Sequence, residues 1–96
     1  MPIRSFANSN VGVFFRTGRT PRTIAWANAS KIVARKLDML HYAGKLRDLA
    51  APPGNRLEAL TGRWKGFHSI RVNDQFRVVF RWTDGGAEDV DVVDYH

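Results

Sequence analysis

The spacing of apolar residues divides this chain into a helical first half and a sheet-forming second half. Apolar residues recur at helical spacing between about Ile24 and His41, and the recurring positions are Trp26, Val33, Leu37 and Leu40. From Phe67 onward, apolar and polar residues alternate instead, which is typical of strands. We therefore predict an α+β fold in which N-terminal helices pack on one face of a small, mainly antiparallel β-sheet.

Capping residues predict where the first elements begin and end. The segment from Ile3 to Phe6 can form a short opening strand. Asn8 or Ser9 then offers an N-cap for a brief helix, which Gly18 closes. These signals predict one strand and one short helix before the main helix.

The main helix has its own start and stop signals. Thr20 followed by Pro21 supplies a cap and a first-turn proline. Leu46 and Leu49 indicate one more helical turn after the main helix. Pro52-Pro53-Gly54 then ends the helical half, because proline cannot continue a helix.

Three strands joined by tight turns are predicted in the second half, over Phe67–Val72, Phe76–Trp82 and Ala87–Tyr95. A two-residue turn at Asn73-Asp74 would mix core and charged residues on one face. A three-residue loop, Asn73 to Gln75, instead aligns Val72 with Phe76, Ile70 with Val78, His68 with Phe80, and Arg71 with Arg77. We prefer the second register.

This register gives the predicted sheet two different faces. One face is apolar and covered by the helices; it carries Ile70, Val72, Phe76, Val78 and Phe80. The other presents Ser69, Arg71, Arg77 and Arg81. Because opposed arginines repel each other, Arg71 and Arg77 require solvent or a phosphate between them, while Asp89 and Asp91 can offset Arg81.

Charge and composition narrow the class of function. The chain carries 15 Lys and Arg against nine Asp and Glu, a net charge of +6, and its pI is about 10.5. Such a balance favours a nucleic-acid partner, although it also serves solubility alone. Without Cys, a signal-like start or a long apolar run, we expect a cytoplasmic protein outside the membrane, folded as one domain over residues 1–96.

Motifs along nearly the whole chain resemble one family. They are IRSF and FFRTG near the start, LRDLAAPPGNRLEAL in the middle, RLEALTGRWKGFHSIRVNDQFRVVF from Arg56 to Phe80, and the terminal VDYH. The ordered set resembles the HigB branch of the RelE-like toxins. The resemblance implies a RelE-like fold and an endoribonuclease that cuts mRNA on the ribosome, with no metal or cofactor. It also implies a HigA-like helix-turn-helix antitoxin, through which alone the toxin would reach operator DNA.

The resemblance also implies roles for particular residues. Arg77 matches the arginine that stabilises charge on the phosphate. The terminal Asp94, Tyr95 and His96 match the family's DYH, with His96 or Tyr95 as proton carrier and Asp94 as an orienting partner. The candidate RNA-binding residues are Arg56, Arg63, Lys65 and Arg71.

Two positions depart from the family pattern. Other HigB-like toxins can carry His and Lys where this chain has Glu58 and Thr61. Glu58 can accept a proton or position Arg77, yet a carboxylate also repels a phosphate. The departure predicts a weaker or differently tuned nuclease. Strict alternation puts Tyr95 on the Arg77 face and Asp94 and His96 on the other, unless the tail turns after Val93.

The sequence is also compatible with two other hypotheses about function. One is a non-enzymatic inhibitor of a protein target, as in ParE-like relatives of this fold, and the other is a basic RNA-binding module without catalysis. Neither of the remaining histidines is expected to be catalytic. We predict a hydrogen-bonded structural role for His68 and a helix-dipole contact for His41.

Overall fold

The computed structural model describes residues 2–95, so the predicted site residue His96 lies outside the described part of the chain. Two α-helices come first, α1 (Ser9–Thr17) and α2 (Ser30–Tyr42). Four strands follow: β1 (Glu58–Ala59), β2 (His68–Arg71), β3 (Phe76–Thr83) and β4 (Gly86–Asp94). The strands form one sheet in the order β1-β2-β3-β4, and every neighbouring pair is antiparallel. The predicted α+β fold is confirmed.

The predicted register of the β2–β3 hairpin is also confirmed. His68 pairs with Phe80, Ile70 with Val78, and Arg71 with Arg77. Asn73 closes the three-residue loop, because its Oδ1 accepts hydrogen bonds from the backbone N–H groups of Gln75, at 2.9 Å, and Phe76, at 2.8 Å. The side chain of one turn residue thus sets which residues share a face.

A bulge in β4 changes its alternation partway along the strand. Val79 pairs with Asp91 but Arg81 pairs with Glu88, so β4 carries one extra residue between these pairs. Asp89 lies there in the left-handed region, with φ of 53°, and its N–H donates to Ser5 Oγ at 2.8 Å. Ala87 and Val90 both face the core as a result.

The predicted opening strand lies parallel to β4. Ile3 bridges Ala87 and Phe6 bridges Val90, as two isolated bridges rather than a continuous strand. His41, in the last turn of α2, accepts a hydrogen bond at Nδ1 from the N–H of Ile3 at 3.2 Å. The main contact of His41 therefore ties the N-terminal segment to α2, a contact that the sequence prediction did not include.

The first helix matches its prediction and the second begins later than predicted. Asn8 caps α1 and Gly18 ends it in the left-handed conformation. Thr20 and Pro21 do not begin α2, because the segment from Pro21 forms turns and a 3₁₀ turn over Ala27–Ala29 before Ser30. These turns let Trp26 pack edge-to-face against Phe14, with ring centroids 4.9 Å apart. Tertiary packing thus overrides the capping signal.

The main core lies between the helices and one face of the sheet. The helical residues predicted from spacing, Trp26, Val33, Leu37 and Leu40, are all buried there. The strands contribute Ile70, Val72, Phe76, Val78 and Phe80, the apolar face that the register predicted. No helix within residues 2–95 is long and apolar enough to cross a membrane.

A buried polar contact holds the connection between α2 and β1. This connection contains 3₁₀ segments at Leu46–Ala50 and Pro53–Asn55. Lys36 Nζ donates to Asn55 Oδ1, and Asn55 Nδ2 donates to the Leu49 carbonyl at 3.1 Å. Burial, and then the charges of Arg35 and Arg71, lower the pKa of Lys36. The contact fixes the segment that leads into Glu58.

Candidate functional site

Arg77 lies at the centre of a polar cluster on the sheet face away from the helices. Its Nη1 is 3.0 Å from Glu58 Oε1 and donates to Ser69 Oγ at 3.3 Å. The guanidinium carbon is 5.6 Å from the centroid of the Tyr95 ring. Three groups on three different strands or strand ends therefore orient one guanidinium.

Strand pairing explains why these residues meet. Glu58 pairs with Ser69 across β1 and β2, and Arg77 follows on β3 beside them. Arg77 pairs with Val93, and Tyr95 lies two residues beyond Val93 on the same face of β4. The prediction that Tyr95 shares the Arg77 face is confirmed.

Each of the two opposed arginines has its own carboxylate. From the hairpin register, the sequence left solvent or a phosphate as the partner of Arg71 and Arg77, although Glu58 was also considered able to position Arg77; the structure supplies a carboxylate for both arginines. Arg71 forms an ion pair with Asp74 in the hairpin loop, and Arg77 pairs with Glu58. Asp74 is almost fully exposed, so solvent screens its pairing with Arg71.

Asp94, at the end of β4, has partners in the neighbouring hairpin. It pairs with Phe76 across the sheet and accepts a hydrogen bond from Gln75 Nε2 at 3.0 Å. Alternation directs it to the opposite side of the strand from Tyr95, as the sequence predicted. Tyr95 is therefore the residue of the DYH motif that the described structure shows at Arg77.

Three of the predicted RNA-binding residues, Arg56, Arg63 and Lys65, lie on exposed segments before and after β1. Arg56 precedes β1 in the left-handed conformation, with φ of 45°. Arg63 and Lys65 lie in the loop between β1 and β2, around a 3₁₀ turn at Gly62–Trp64. Within residues 2–95, none of these three side chains forms an ion pair. Thr61, the second departure from the family pattern, is exposed in the same loop.

Arg81 has different neighbours from those predicted. Neither Asp89 nor Asp91 forms an ion pair with it in the described chain; Glu88 is opposite it in the register. The bulge causes this, because it shifts Asp89 out of regular pairing and sets Asp91 against Val79. The Arg81 guanidinium instead lies 5.8 Å from the centroid of the Phe67 ring.

His68 packs against the core side of the sheet without its expected hydrogen bond. Its ring stacks on Phe80 with centroids 6.1 Å apart. Its Nδ1 is buried and has no hydrogen-bond partner among the described residues. The core-side placement is confirmed, whereas the predicted hydrogen bond is not made by Nδ1 within the described residues.

Two other observations bear on where the site lies. Residues 2–95 contain no group of three or more His, Asp or Glu side chains that could hold a metal ion. A groove of about 250 Å³ between α1 and α2 is lined by Phe14, Phe15, Lys31 and Asp38 among others. This groove lies on the helical side, away from Arg77, and it lacks a comparable cluster of oriented polar groups.

The arrangement of two helices on a four-stranded antiparallel sheet is a known fold. Over the full length of both chains this protein is similar to a solved YoeB/ParE toxin from Agrobacterium tumefaciens, with a TM-score of 0.54 and 16% identity, a likeness of fold alone. The profile of one family, described as the RelE-like toxin of the type II toxin-antitoxin system HigB, matches residues 4–96. The chain belongs to this family.

Two relatives in sequence support the assignment. Toxin HigB-1 of Vibrio cholerae serotype O1 is 55% identical over 53 residues, which are 55% of this chain and 56% of that toxin. An uncharacterised protein of Haemophilus influenzae is 39% identical over 69 residues, which are 72% of this chain and 67% of that protein. The match thus spans little more than half of the Vibrio toxin.

Proposed function

We propose that this toxin is an endoribonuclease that cuts mRNA on the ribosome, inhibits translation and growth, and is neutralised by a HigA-like antitoxin. The observation that carries the proposal is Arg77, held by Glu58, Ser69 and Tyr95 on the sheet face away from the helices. A preorganised guanidinium is well suited to stabilise the charge that develops on a phosphate during cleavage.

The proposed reaction needs no group from outside the RNA and the protein. The ribose 2′-oxygen attacks the adjacent phosphorus and the bond to the 5′-oxygen breaks. The 2′-OH proton goes to a base, and an acid returns a proton to the leaving 5′-oxygen. The products are a 2′,3′-cyclic phosphate and a 5′-hydroxyl end.

Each role has a candidate residue in this chain. Arg77 stabilises the phosphate, with Arg56 and Arg71 as further cations. Glu58 accepts the 2′-OH proton, and its half-exposed side chain can rotate away from Arg77 as the phosphate arrives. Tyr95 or His96 donates to the 5′-oxygen, and Asp94 orients the tail. Because Glu58 and the phosphate compete for one guanidinium, the nuclease is tuned to be weak.

The proposed partners follow from the family and the charge. The ribosome and mRNA are polyanions that attract a chain of net charge +6. A HigA-like helix-turn-helix antitoxin binds the toxin, and operator DNA is contacted only through that complex. Catalysis needs no metal and proceeds in the presence of chelators.

The test is induced expression of the wild type and of the Arg77→Ala and His96→Ala variants, with growth followed and mRNA ends mapped in the same cultures. We expect the wild type to arrest growth and to cut within translated codons. Both variants are expected to lose the cuts, because removing one oriented donor to a transition state costs about 10²- to 10³-fold in rate.

A matched control is Arg22→Ala, which removes an exposed arginine from a turn in the helical half and should cut like the wild type. Growth arrest with intact mRNA would contradict the proposal and indicate a ParE-like inhibitor of a protein target. Binding to RNA with no arrest and no cuts would indicate an RNA-binding module without catalysis.

A further inference from the structure

The loop between β1 and β2 carries an aromatic and basic surface that the proposed chemistry does not use. Residues 59–73 contain no Asp or Glu, but they include Arg63, Lys65 and Arg71. Trp64 lies between the first two of these and is only partly buried. It takes no part in the main core, nor in the partly buried shell around that core. Core packing therefore does not account for this tryptophan.

The loop is a fixed structure on the same side of the sheet as Arg77. Its closing hydrogen bonds run from the N–H of Leu60 to the Phe67 carbonyl, at 2.9 Å, and from the N–H of Phe67 to the Trp64 carbonyl, also at 2.9 Å. Leu60 in this loop is buried outside the main core, and Val79 on the Arg77 face of β3 is also buried outside that core. The backbone hydrogen bonds and the burial of Leu60 hold the loop in place.

Aromatic contacts orient Trp64 within this loop. The rings of Trp64 and Phe67 meet nearly at right angles, with centroids 5.2 Å apart. The Arg81 guanidinium lies over Phe67. Edge-to-face packing fixes a ring while leaving surface of the pair available for a further planar group. The side chains of Arg63 and Lys65 are exposed on either side of it.

The basic side chains around Trp64 have no carboxylate partner among the residues that the structure describes. Within the described chain, Arg63, Lys65 and Arg81 form no ion pair. Glu88, which is opposite Arg81, accepts a hydrogen bond from Thr83 Oγ1 at 2.7 Å. An aromatic ring among unpaired cations is the combination by which proteins bind single-stranded nucleic acid, through base stacking and phosphate contacts.

We propose that Trp64, with Arg63, Lys65 and Arg81, is a stacking subsite for one base of the single-stranded RNA whose phosphate lies at Arg77. The proposal rests on the proposed function, since RNA is the substrate of that site. Arg81 is four positions beyond Arg77 along β3, a rise of about 13 Å. A short single strand can therefore contact both arginines at once.

The test uses a probe that cannot be cut. A 2′-O-methyl oligoadenosine hexamer lacks the attacking hydroxyl, and a hexamer of base-free tetrahydrofuran phosphates has the same backbone charge without bases. We expect the wild type to bind the adenosine hexamer more tightly. Trp64→Ala should lower that affinity about 5- to 100-fold and leave the base-free affinity unchanged, because it removes only the stack.

Two further variants separate stacking from folding and from charge. Trp64→Phe keeps an aromatic ring and should retain intermediate affinity, while losing the quenching of tryptophan fluorescence that the stacked base causes. Lys65→Gln should weaken both hexamers equally and reduce the slope of log affinity against log salt by about 0.7. Trp82→Phe is the matched control, because Trp82 packs against the main core. This variant should bind both hexamers with the same affinity as the wild type.

Two results would overturn the proposed stacking subsite and leave only a basic surface. One is equal affinity of the wild type for both hexamers, and the other is an equal loss of affinity for both hexamers in Trp64→Ala. Failure of the wild type to bind either hexamer would overturn it as well. Cleavage in cells is measured separately. Base-dependent binding with no cleavage would therefore reject the proposed nuclease while supporting the subsite.

Discussion

The two faces of the sheet are both covered, but by different means and to different effect. On the helical face, Ile70, Val78 and Phe80 are fully buried in the main core. On the other face, Ser69 and Val79 are equally buried, yet both lie outside the main core, and Ser69 accepts a hydrogen bond from Arg77. The Arg77 side chain on this face is only 18% exposed. Partial burial strengthens the electrostatic interactions of Arg77 with nearby charges. The second face is therefore suited to binding and catalysis, whereas the first face contributes mainly to the stability of the fold.

The largest expected effect is a loss of stability when a core residue on the helical face is removed. Phe80→Ala should lower the free energy of unfolding by about 3–5 kcal/mol, because it removes a fully buried ring and leaves a cavity. This is a large part of the stability of a domain this small. Urea unfolding followed by circular dichroism measures the change.

A matched pair of variants compares the two faces directly. Val78 and Val79 are adjacent on β3, both fully buried, and they point to opposite faces. Val78→Ala should cost about 2 kcal/mol, and Val79→Ala less, because Val79 lies outside the main core, where its surroundings can close on the space more readily than packed helices can. If both substitutions lowered the free energy of unfolding equally, the two faces would not differ in packing, and the second face would be packed as tightly as the first.

The next prediction concerns a residue of the second face, Glu58, whose substitution should change stability little but cleavage activity strongly. Glu58→Gln should slow cleavage by about 10²-fold or more, because the amide cannot accept the 2′-OH proton. The same change should tighten binding of a 2′-O-methyl RNA hexamer, because no carboxylate then competes with the phosphate for Arg77. Cleavage of mRNA in a reconstituted translation system and hexamer titration measure the two effects.

The opposite directions of these two effects make the prediction specific. Glu88→Gln is the matched control, since Glu88 is bound to Thr83, away from Arg77, and its loss should leave cleavage unchanged. Cleavage by Glu58→Gln at the wild-type rate would show that Glu58 only holds Arg77 in place and is not the proton acceptor.

Local rules were enough to predict much of both faces. Asn73 and the alternation around it predicted the register of β2 and β3, because a one-residue slip would have moved every apolar side chain to the wrong face. The same alternation of side chains between the two faces of a strand predicted that Tyr95 lies on the face of Arg77. Both predictions depend only on residues close in sequence or directly paired.

The remainder depends on contacts between distant segments. The pairing of Glu58 with Arg77 requires β1, which has two residues and is too short to show alternation. The bulge at Asp89 depends on Ser5, 84 residues away, and it redirected the acids expected beside Arg81. The late start of α2 follows from Trp26 packing on Phe14. No local pattern encodes these contacts.

The smallest expected effect is a pH-dependent difference in stability at Asp91, opposite Val79 on the second face. Burial raises the pKa of Asp91 from its usual 3.8, and this outweighs the hydrogen bond from the N–H of Val92, which acts in the other direction. The folded protein therefore holds the Asp91 proton more strongly than the unfolded chain does. Stability is lost as pH rises from the unfolded pKa of 3.8 through the raised folded pKa.

Asp91→Asn removes this titration and keeps a similar shape. At pH 3 the variant and the wild type should unfold at nearly the same temperature. At pH 7 the variant should unfold at the higher temperature, by a few degrees at most. Asp84→Asn, in the exposed turn before β4, controls for the loss of one negative charge. A difference for Asp91→Asn that did not change between pH 3 and pH 7 would contradict the idea that the second face desolvates its charges.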